Sequence, residues 1–283
     1  MAQYDTQYTS IPEPAPPRRD RWPLAGAMAL DLVLILVAVL VLTTAITVIL
    51  IGVHIAGGAA LPTPRTSVNQ EQLLRLIGAD GFFVILLVQN AIFVGVPVLR
   101  VAVLRHEPLA EIGFRALGLG RLVLTGIGLG VVVLICNGAL GLLFNSLGIQ
   151  QNQAEQYPLF QGDYVGQALF FFGAALLVPI GEETLFRGYV FNALRLTFQD
   201  RPWGRVLAYL ASALLFSAAH SLSATQGLIG LLVPTFFMGL VLAWGMHRTG
   251  SLIPCIIAHA MNNSVGLLAL VVCVNSPGIC PNI

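Results

Sequence analysis

Two adjacent glutamates followed by an arginine interrupt a long apolar stretch of this sequence. Glu182 and Glu183 lie within the run from Ala168 to Val190, and Arg187 comes four residues after Glu183. An ionisable group at bilayer depth costs roughly 2.5 to 3.5 kcal/mol on insertion scales, so such groups are uncommon there unless they have a function. A carboxylate pair in this setting is therefore a candidate site for chemistry.

The two glutamates are expected to have different roles because they point in different directions from a helix. Glu183 and Arg187 are four residues apart, so they lie on one face and can pair. Glu182 lies about 100° away from Glu183 around the helix and has no such intrahelical partner. A carboxylate whose charge is less compensated is the better candidate for a general base. Pro179 and Gly181, just before the pair, predict a kink there.

Two later apolar segments each contain a polar pair at helical spacing. Phe216 precedes His220 by four residues, and His259 precedes Asn263 by four. His259 and Asn263 would project from one helix face and could donate hydrogen bonds to a single oxygen atom. Asn262 comes three residues after His259 and lies near the same face, so spacing does not choose between the two asparagines.

These side chains are the parts needed for hydrolysis of an acyl bond by water. Glu182 would take a proton from the water, and His220 would orient that water. His259 and Asn263 would stabilise the oxyanion of the tetrahedral intermediate, a role worth roughly 2.7 to 4 kcal/mol per donor in comparable sites. The predicted catalytic residues are Glu182, His220, His259 and Asn263, with Glu183, Arg187 and Phe216 in support.

Two other interpretations of these residues remain open. The two glutamates and Arg187 could form a buried ion cluster that performs no catalysis. Glu182, His220 and His259 could instead bind zinc with an open fourth position, although the sequence has no H-E-x-x-H motif and asparagine is a poor zinc ligand. The favoured expectation is a site that works without a metal or any other cofactor.

The composition is that of a membrane protein with many spans. Hydrophobic residues make up 57% of the 283 residues and charged residues only 10%, against about 25% in soluble proteins. The mean hydropathy is +0.84. The net charge of +1 comes from 14 basic and 13 acidic residues without long runs of either sign, which excludes a nucleic-acid surface. The expected partners are the lipid bilayer and a membrane-embedded or lipidated protein or peptide.

Apolar stretches of about 20 residues predict an all-α bundle of seven or eight transmembrane helices. The predicted spans are, within several residues, 28–53, 80–103, 122–147, 166–194, 205–221, 227–246 and 252–275. Arginines flank alternate loops, so the positive-inside rule places the N-terminus in the cytoplasm and the C-terminus outside. All basic residues are arginine, which favours a bacterial cell membrane as the location. Cys273 and Cys280 could form a disulfide on the outer side.

Three motifs, in a fixed order, carry a resemblance to a known family. They are E-E-x-x-x-R from Glu182 to Arg187, F-x-x-x-H from Phe216 to His220, and H-x-x-x-N from His259 to Asn263. This set resembles the motifs of the CAAX protease and bacteriocin-processing (CPBP, or ABI) family of intramembrane glutamic endopeptidases, which includes the type II CAAX prenyl proteases. The resemblance covers about residues 165–274.

The resemblance implies a helical bundle with a water-filled cavity inside the membrane. Glu182 would be the catalytic glutamate and His220 its assistant. His259 and Asn263 would form the oxyanion pair, so the resemblance selects Asn263 over Asn262. It also implies a division of the chain into a disordered, Pro-rich cytoplasmic tail (1–23), N-terminal membrane helices (24–160), a CAAX protease-like catalytic membrane domain (161–276) and a C-terminal tail (277–283).

The chain is therefore predicted to be an intramembrane endopeptidase that hydrolyses a peptide bond of a membrane-associated protein or peptide. One alternative is a non-catalytic membrane adaptor or bacteriocin self-immunity protein with the same fold. A second alternative is a proton-coupled transporter that uses Glu182 as its relay. The sequence has no internal repeat, whereas many transporter folds are built from repeats.

Overall fold

The structure is an all-α bundle. The computed structural model describes residues 22–58, 70–116, 118–149, 157–221 and 227–280, and every regular element within these ranges is helical. The helices are α1 (Trp22–Ala56), α2 (Gln70–Val98, continued by a π-helix over Leu99–Leu104), α3 (Leu119–Ser146), α4 (Tyr164–Thr197), α5 (Gly204–His220), α6 (Leu228–Thr249) and α7 (Ile253–Asn275). A short 3₁₀ helix, Leu109–Ile112, precedes α3. The all-helical prediction is confirmed.

The outer surface of the bundle is apolar, as in a protein surrounded by lipid. Among the described residues, six helices are long and apolar enough to cross a membrane, and α5 is a shorter apolar helix of 17 residues. In α1, only 6% of the most apolar window is buried inside the protein, and Leu34, Val41 and Val48 are more than half exposed. The chain is therefore an integral, multi-pass membrane protein, with a helix at each of the seven predicted spans.

The first two helices begin earlier than predicted. Helix α1 begins at Trp22, so residues 22 and 23 are helical rather than part of the predicted tail, whose other residues lie outside the described part of the chain. Helix α2 begins at Gln70 because a polar first turn precedes the apolar stretch. The helical path of α2 is broken at Gly78, whose φ of 71° and ψ of 165° are accessible mainly to glycine.

Helix α4 contains two π-helical segments, in which the helical turn is wider. Its segments are α-helical over Tyr164–Phe171, Val178–Glu183 and Asn192–Thr197, and π-helical over Phe172–Leu177 and Thr184–Phe191. The two glutamates thus end a six-residue α-helical segment that lies between two wide turns. Pro179 and Gly181, where a kink was predicted, lie in this α-helical segment, and the register changes come before and after it. Such π-helical segments are common at functional sites.

Close helix contacts at glycines hold the bundle together. Helix α7 packs on α3, and α6 packs on both α3 and α5. A Cβ added at Gly126 or Gly130 of α3 would lie within 2.8 Å of Ile257 or Met261 of α7. Small residues at such crossings let helices approach closely, which is a main source of helix association in lipid.

A buried ion pair fastens α1 to the other helices. Asp31 is 2% exposed and accepts two hydrogen bonds from Arg100 of α2, one of them from Nε at 2.7 Å. The hydroxyl of Tyr189 on α4 donates to the same carboxylate. One acidic side chain on α1 therefore connects three helices. At the opposite end of the sequence, Cys273 and Cys280 form the disulfide considered above.

Candidate active site

Glu183 lies at the centre of a buried cluster formed by α4 and α7. Its Oε1 accepts a hydrogen bond from Arg187 Nη1 at 2.9 Å and lies 2.8 Å from Nδ1 of His259. The Glu183 and Arg187 side chains are fully buried, and that of His259 is 2% exposed. A carboxylate oxygen that is paired with arginine only accepts hydrogen bonds, so Nδ1 of His259 carries a proton. The pairing of Glu183 with Arg187 agrees with their spacing, and His259 is an additional partner.

The other ring nitrogen of His259 faces Glu182. Its Nε2 lies 3.7 Å from Oε2 of Glu182, which is too long for a direct hydrogen bond. Oε2 of Glu182 is buried and has no hydrogen-bond partner among the described residues. The imidazole therefore lies between the two glutamates, and each of its nitrogens is directed at a different one.

The ring of Phe216 forms a common wall for three of the polar groups. The guanidinium carbon of Arg187 lies 4.0 Å from the centroid of this ring, in a cation–π contact. The ring centroids of His220 and His259 lie 4.7 and 5.7 Å from that of Phe216. Phe216 itself is completely buried. One aromatic ring therefore contacts both histidines and the arginine, which is how Phe216 could support the site.

His220 is oriented by the backbone carbonyl of Phe216. It is the last residue of α5, and its Nδ1 lies 2.9 Å from the carbonyl oxygen of Phe216. A carbonyl accepts only, so Nδ1 is the donor, and Nε2 of the neutral ring is then an acceptor. The spacing of four residues between Phe216 and His220 thus places the imidazole both over the Phe216 ring and on its carbonyl.

Asn263 contacts the backbone of α4 in its first wide turn. Its Nδ2 donates to the carbonyl oxygen of Ala174 at 3.0 Å, while its Oδ1 accepts from Asn262 at 3.3 Å. It lies one turn beyond His259 on α7. Both asparagines that the spacing left open are therefore part of one polar arrangement, and among the described residues it is Asn263 that hydrogen-bonds to α4.

The described ranges contain no preformed set of ligands for the alternative zinc site. Within them, no three His, Cys, Asp or Glu side chains come together in a manner that could hold a metal ion. Two of the three candidate ligands already use one ring nitrogen. Nδ1 of His259 is hydrogen-bonded to Glu183, and Nδ1 of His220 is hydrogen-bonded to a backbone carbonyl. The absence of a cofactor stays a prediction, and chelation tests it below.

The structure adds residues that the sequence motifs do not contain. Asn90 of α2 accepts a hydrogen bond from the backbone N–H of Gly181, at 2.8 Å, directly before the glutamates. Tyr157, from the segment that precedes α4, packs its ring on Phe170 at a centroid distance of 5.0 Å. Burial and the negative charge of Glu182 both raise the pKa of Tyr157, so the phenol stays neutral and can donate. An asparagine in an apolar helix was the available signal for Asn90, whereas nothing local marks Tyr157.

Comparison with known proteins finds similarity in the part of the chain that contains this arrangement. The profile of the family described as "Type II CAAX prenyl endopeptidase Rce1-like" matches residues 164–265, which include all three motifs. An uncharacterized 24.3 kDa protein of Escherichia coli is 37% identical over 93 residues, or 33% of this chain and 40% of that protein. The UPF0177 protein YxdF of Lactococcus lactis is 26% identical over 91 residues, or 32% of this chain and 44% of that protein.

The family match lies in the second half of the chain. The matched segments span less than half the length of either curated relative. No solved structure shows significant similarity to the chain. The matched residues contain α4 to α6 and the part of α7 that carries His259 and Asn263. Residues 164–265 are thus similar to the Rce1-like type II CAAX prenyl endopeptidases.

Proposed function

We propose that this protein is an intramembrane endopeptidase in which Glu182 activates a water molecule. The observation that carries the proposal is the asymmetry of the two glutamates. Oε1 of Glu183 is held by Arg187 and His259, although its Oε2 is buried without a hydrogen-bond partner in the described chain. Glu182 accepts no hydrogen bond from the described residues, and its Oε2 is likewise buried. A buried carboxylate oxygen needs a donor, and a water molecule placed there would be both bound and polarised.

These positions support the following reaction. Glu182 takes a proton from the water as its oxygen bonds to the carbonyl carbon of the peptide, which gives a tetrahedral oxyanion. When this intermediate collapses, the carbon–nitrogen bond breaks and Glu182 returns the proton to the leaving amine. His220, whose Nε2 is an acceptor when the ring is neutral, accepts a hydrogen bond from the same water and orients it. The products are a carboxylic acid and an amine, so one water molecule is consumed.

Asn263 and His259 would stabilise the oxyanion. The amide nitrogen of Asn263 has two hydrogens, of which one is donated to Ala174, so the second is the donor for the substrate oxygen. His259 can donate from Nε2 only when both of its nitrogens are protonated. In that form the charges of the cluster balance, because two carboxylates face Arg187 and one imidazolium. A balanced cluster is the form that is least costly to bury in a membrane.

The similarity to the family and the surroundings of the site support one substrate class. The proposed substrate is a membrane-embedded or lipidated protein or peptide, because the catalytic groups lie between apolar helices. A farnesylated peptide that ends in a Cys-aliphatic-aliphatic-X sequence is the direct probe, since the matched family is described as prenyl endopeptidases. The orientation with a cytoplasmic N-terminus and the bacterial location belong to the same proposal.

The deciding experiment compares membrane peptides from cells that carry the wild type, Glu182→Gln or His220→Ala. Glu71→Gln is the matched control, because Glu71 is exposed and pairs only with Arg75 in the described chain. A new peptide terminus present with the wild type and with Glu71→Gln, but not with the other two variants, is the expected result. Identical profiles from four stably expressed proteins would contradict proteolysis and favour the non-catalytic adaptor.

A further inference from the structure

A proline leaves one backbone carbonyl of α4 without its usual donor. In the wide turn Phe172–Leu177, hydrogen bonds join residues five apart, as Val178 N–H to Gly173 O shows. In the same register, the carbonyl of Ala174 would accept from residue 179. That residue is Pro179, which has no N–H. The Ala174 carbonyl therefore needs a donor from another part of the protein, because an unpaired backbone group in a membrane costs several kcal/mol.

The side chain of Asn263 supplies that donor. Its Nδ2 lies 3.0 Å from the Ala174 oxygen and so joins α7 to α4 at the turn before Glu182 and Glu183. The amide thus takes the place of the N–H that Pro179 lacks.

A chain of three amides then runs from Asn263 to α3. Because a backbone carbonyl can only accept, the Asn263 atom that contacts Ala174 is the nitrogen, and Oδ1 faces the opposite way. Oδ1 accepts from Nδ2 of Asn262 at 3.3 Å, and Oδ1 of Asn262 accepts from Nδ2 of Asn137 at 2.8 Å. The direction of every hydrogen bond in this chain is thus set by the carbonyl at its end.

Asn137 reaches this chain because α3 and α7 are in close contact. Gly126 and Gly130 of α3 lie on the same helix face as Asn137, at 11 and seven residues before it. A side chain at Gly130 would collide with Met261, the neighbour of Asn262. Neither Asn137 nor its helix lies within residues 164–265, the part of the chain that matches the family.

We propose that Asn137 is a positioning residue for the Asn263 amide. It orients Asn262, which orients Asn263, so that one N–H of Asn263 binds Ala174 and the second is directed into the site. This inference rests on the proposed function, since it assigns the second N–H to the substrate oxyanion. It deepens that function, because a residue from the N-terminal helices completes a site that the motifs place in the second half of the chain.

The first test measures cleavage of the farnesylated peptide, or of the peptide identified in the membrane profiles, by the full-length protein. Asn137→Leu should lower kcat about fivefold, the effect of one net hydrogen bond, without changing KM. Asn145→Leu is the matched control on the same helix, because Asn145 is exposed, and it should leave kcat unchanged. Should Asn137→Leu not fold, Asn137→Ala removes the same donor. Equal kcat values for the Asn137 and Asn145 variants, or a change in KM alone, would overturn the proposal.

The second test needs no substrate. Thermal unfolding in detergent is measured for Asn137→Leu, Asn263→Ala and the double variant, and the two losses should not add, since both residues act through one chain. Asn263→Ala should also lower the Tm by less in a Pro179→Ala background, because alanine restores an N–H for Ala174. Additive losses in the first cycle would overturn the proposal. If the wild type cleaves nothing, the proposed function fails, while this cycle still decides whether Asn137 orients Asn263.

Discussion

Nδ1 of His259 lies 2.8 Å from Oε1 of Glu183, the glutamate that is not the proposed base. The same ring presents Nε2 to Glu182 at 3.7 Å. One glutamate therefore fixes the position and the protonated nitrogen of the imidazole, while the other remains available to a reacting group. This division explains why two adjacent carboxylates can be useful at one site although only one of them is the proposed base.

Replacement of the two glutamates should affect different properties: cleavage for Glu182 and stability for Glu183. Glu182→Gln should lower cleavage by about 10²- to 10⁴-fold and leave the Tm nearly unchanged, because Oε2 of Glu182 has no hydrogen bond to a described residue. Glu183→Gln should destabilise the protein by about 3 to 5 kcal/mol, since it leaves Arg187 buried without a counter-charge. Cleavage assays and thermal unfolding on both variants check this, and equal unfolding for the two would contradict it.

Arg187→Lys should not behave as a conservative change. The guanidinium pairs with Glu183, and its carbon lies 4.0 Å from the centroid of the Phe216 ring. An ammonium group cannot reproduce both contacts. We expect a loss of about 1 to 2 kcal/mol in unfolding free energy. Arg248→Lys is the control, because Arg248 is exposed and lies 5.7 Å from the centroid of the Trp244 ring. A similar stability for the two variants would show that the buried cation–π contact of Arg187 contributes little to the unfolding free energy.

Metal chelation should leave the cleavage rate unchanged. In the proposed reaction Glu182 activates the water directly, and Glu182, His220 and His259 hold no metal. The measurement is peptide cleavage after dialysis against a strong chelator, followed by addition of zinc. Loss of activity on dialysis that zinc restores would instead support the zinc alternative.

The link between α1 and the bundle should depend on Asp31. Asp31→Asn would weaken its hydrogen bonds to Arg100 and Tyr189, and we expect a loss of about 3 kcal/mol in unfolding free energy. Glu71→Gln is the control, because the Glu71–Arg75 pair is more than half exposed and such pairs contribute about 0 to 1 kcal/mol. Comparable unfolding of both variants would mean that apolar packing alone holds α1.

Cysteine labelling tests the predicted orientation. Gly120 precedes most of α3 on the expected cytoplasmic side, and Tyr164 begins α4 on the expected outer side. Both residues are exposed, so a cysteine at either position should react with a polar probe. We expect an impermeant reagent applied to intact cells to label Tyr164→Cys and not Gly120→Cys, after subtraction of wild-type labelling. The reverse pattern would invert the topology.

Local features of the sequence were enough to predict the helices and part of the site. Apolar length predicts each span, and a spacing of four residues predicts both the Glu183–Arg187 pair and the contact of His220 with Phe216. The contact between His259 and Glu183 joins residues 76 positions apart, so it depends on how α7 packs on α4. Spacing on a single helix carries no information about that packing.

The positions of the asparagines show a second limit. Asn262 and Asn263 differ by one position on α7, and only the course of α4 and α3 decides that Asn263 contacts Ala174 while Asn262 contacts Asn137. Asn90 and Asn137 lie in apolar helices without a recognisable motif, so the sequence marks them as polar exceptions but assigns them no partner. The wide turns of α4 were also not predicted, because Pro179 indicates a disturbance without specifying its form.

The wide turns of α4 contain residues that a regular α-helix would not accommodate. A π-helical turn absorbs about one additional residue while the helix beyond it keeps its orientation. Deleting one residue within Phe172–Leu177 would restore an α-helical turn and leave Glu182 facing the same way. Deleting one residue within Val178–Glu183 would rotate the rest of the helix by about 100°. Insertions and deletions among relatives should therefore collect in the wide turns, so that length variation in this helix records which face must carry Glu182.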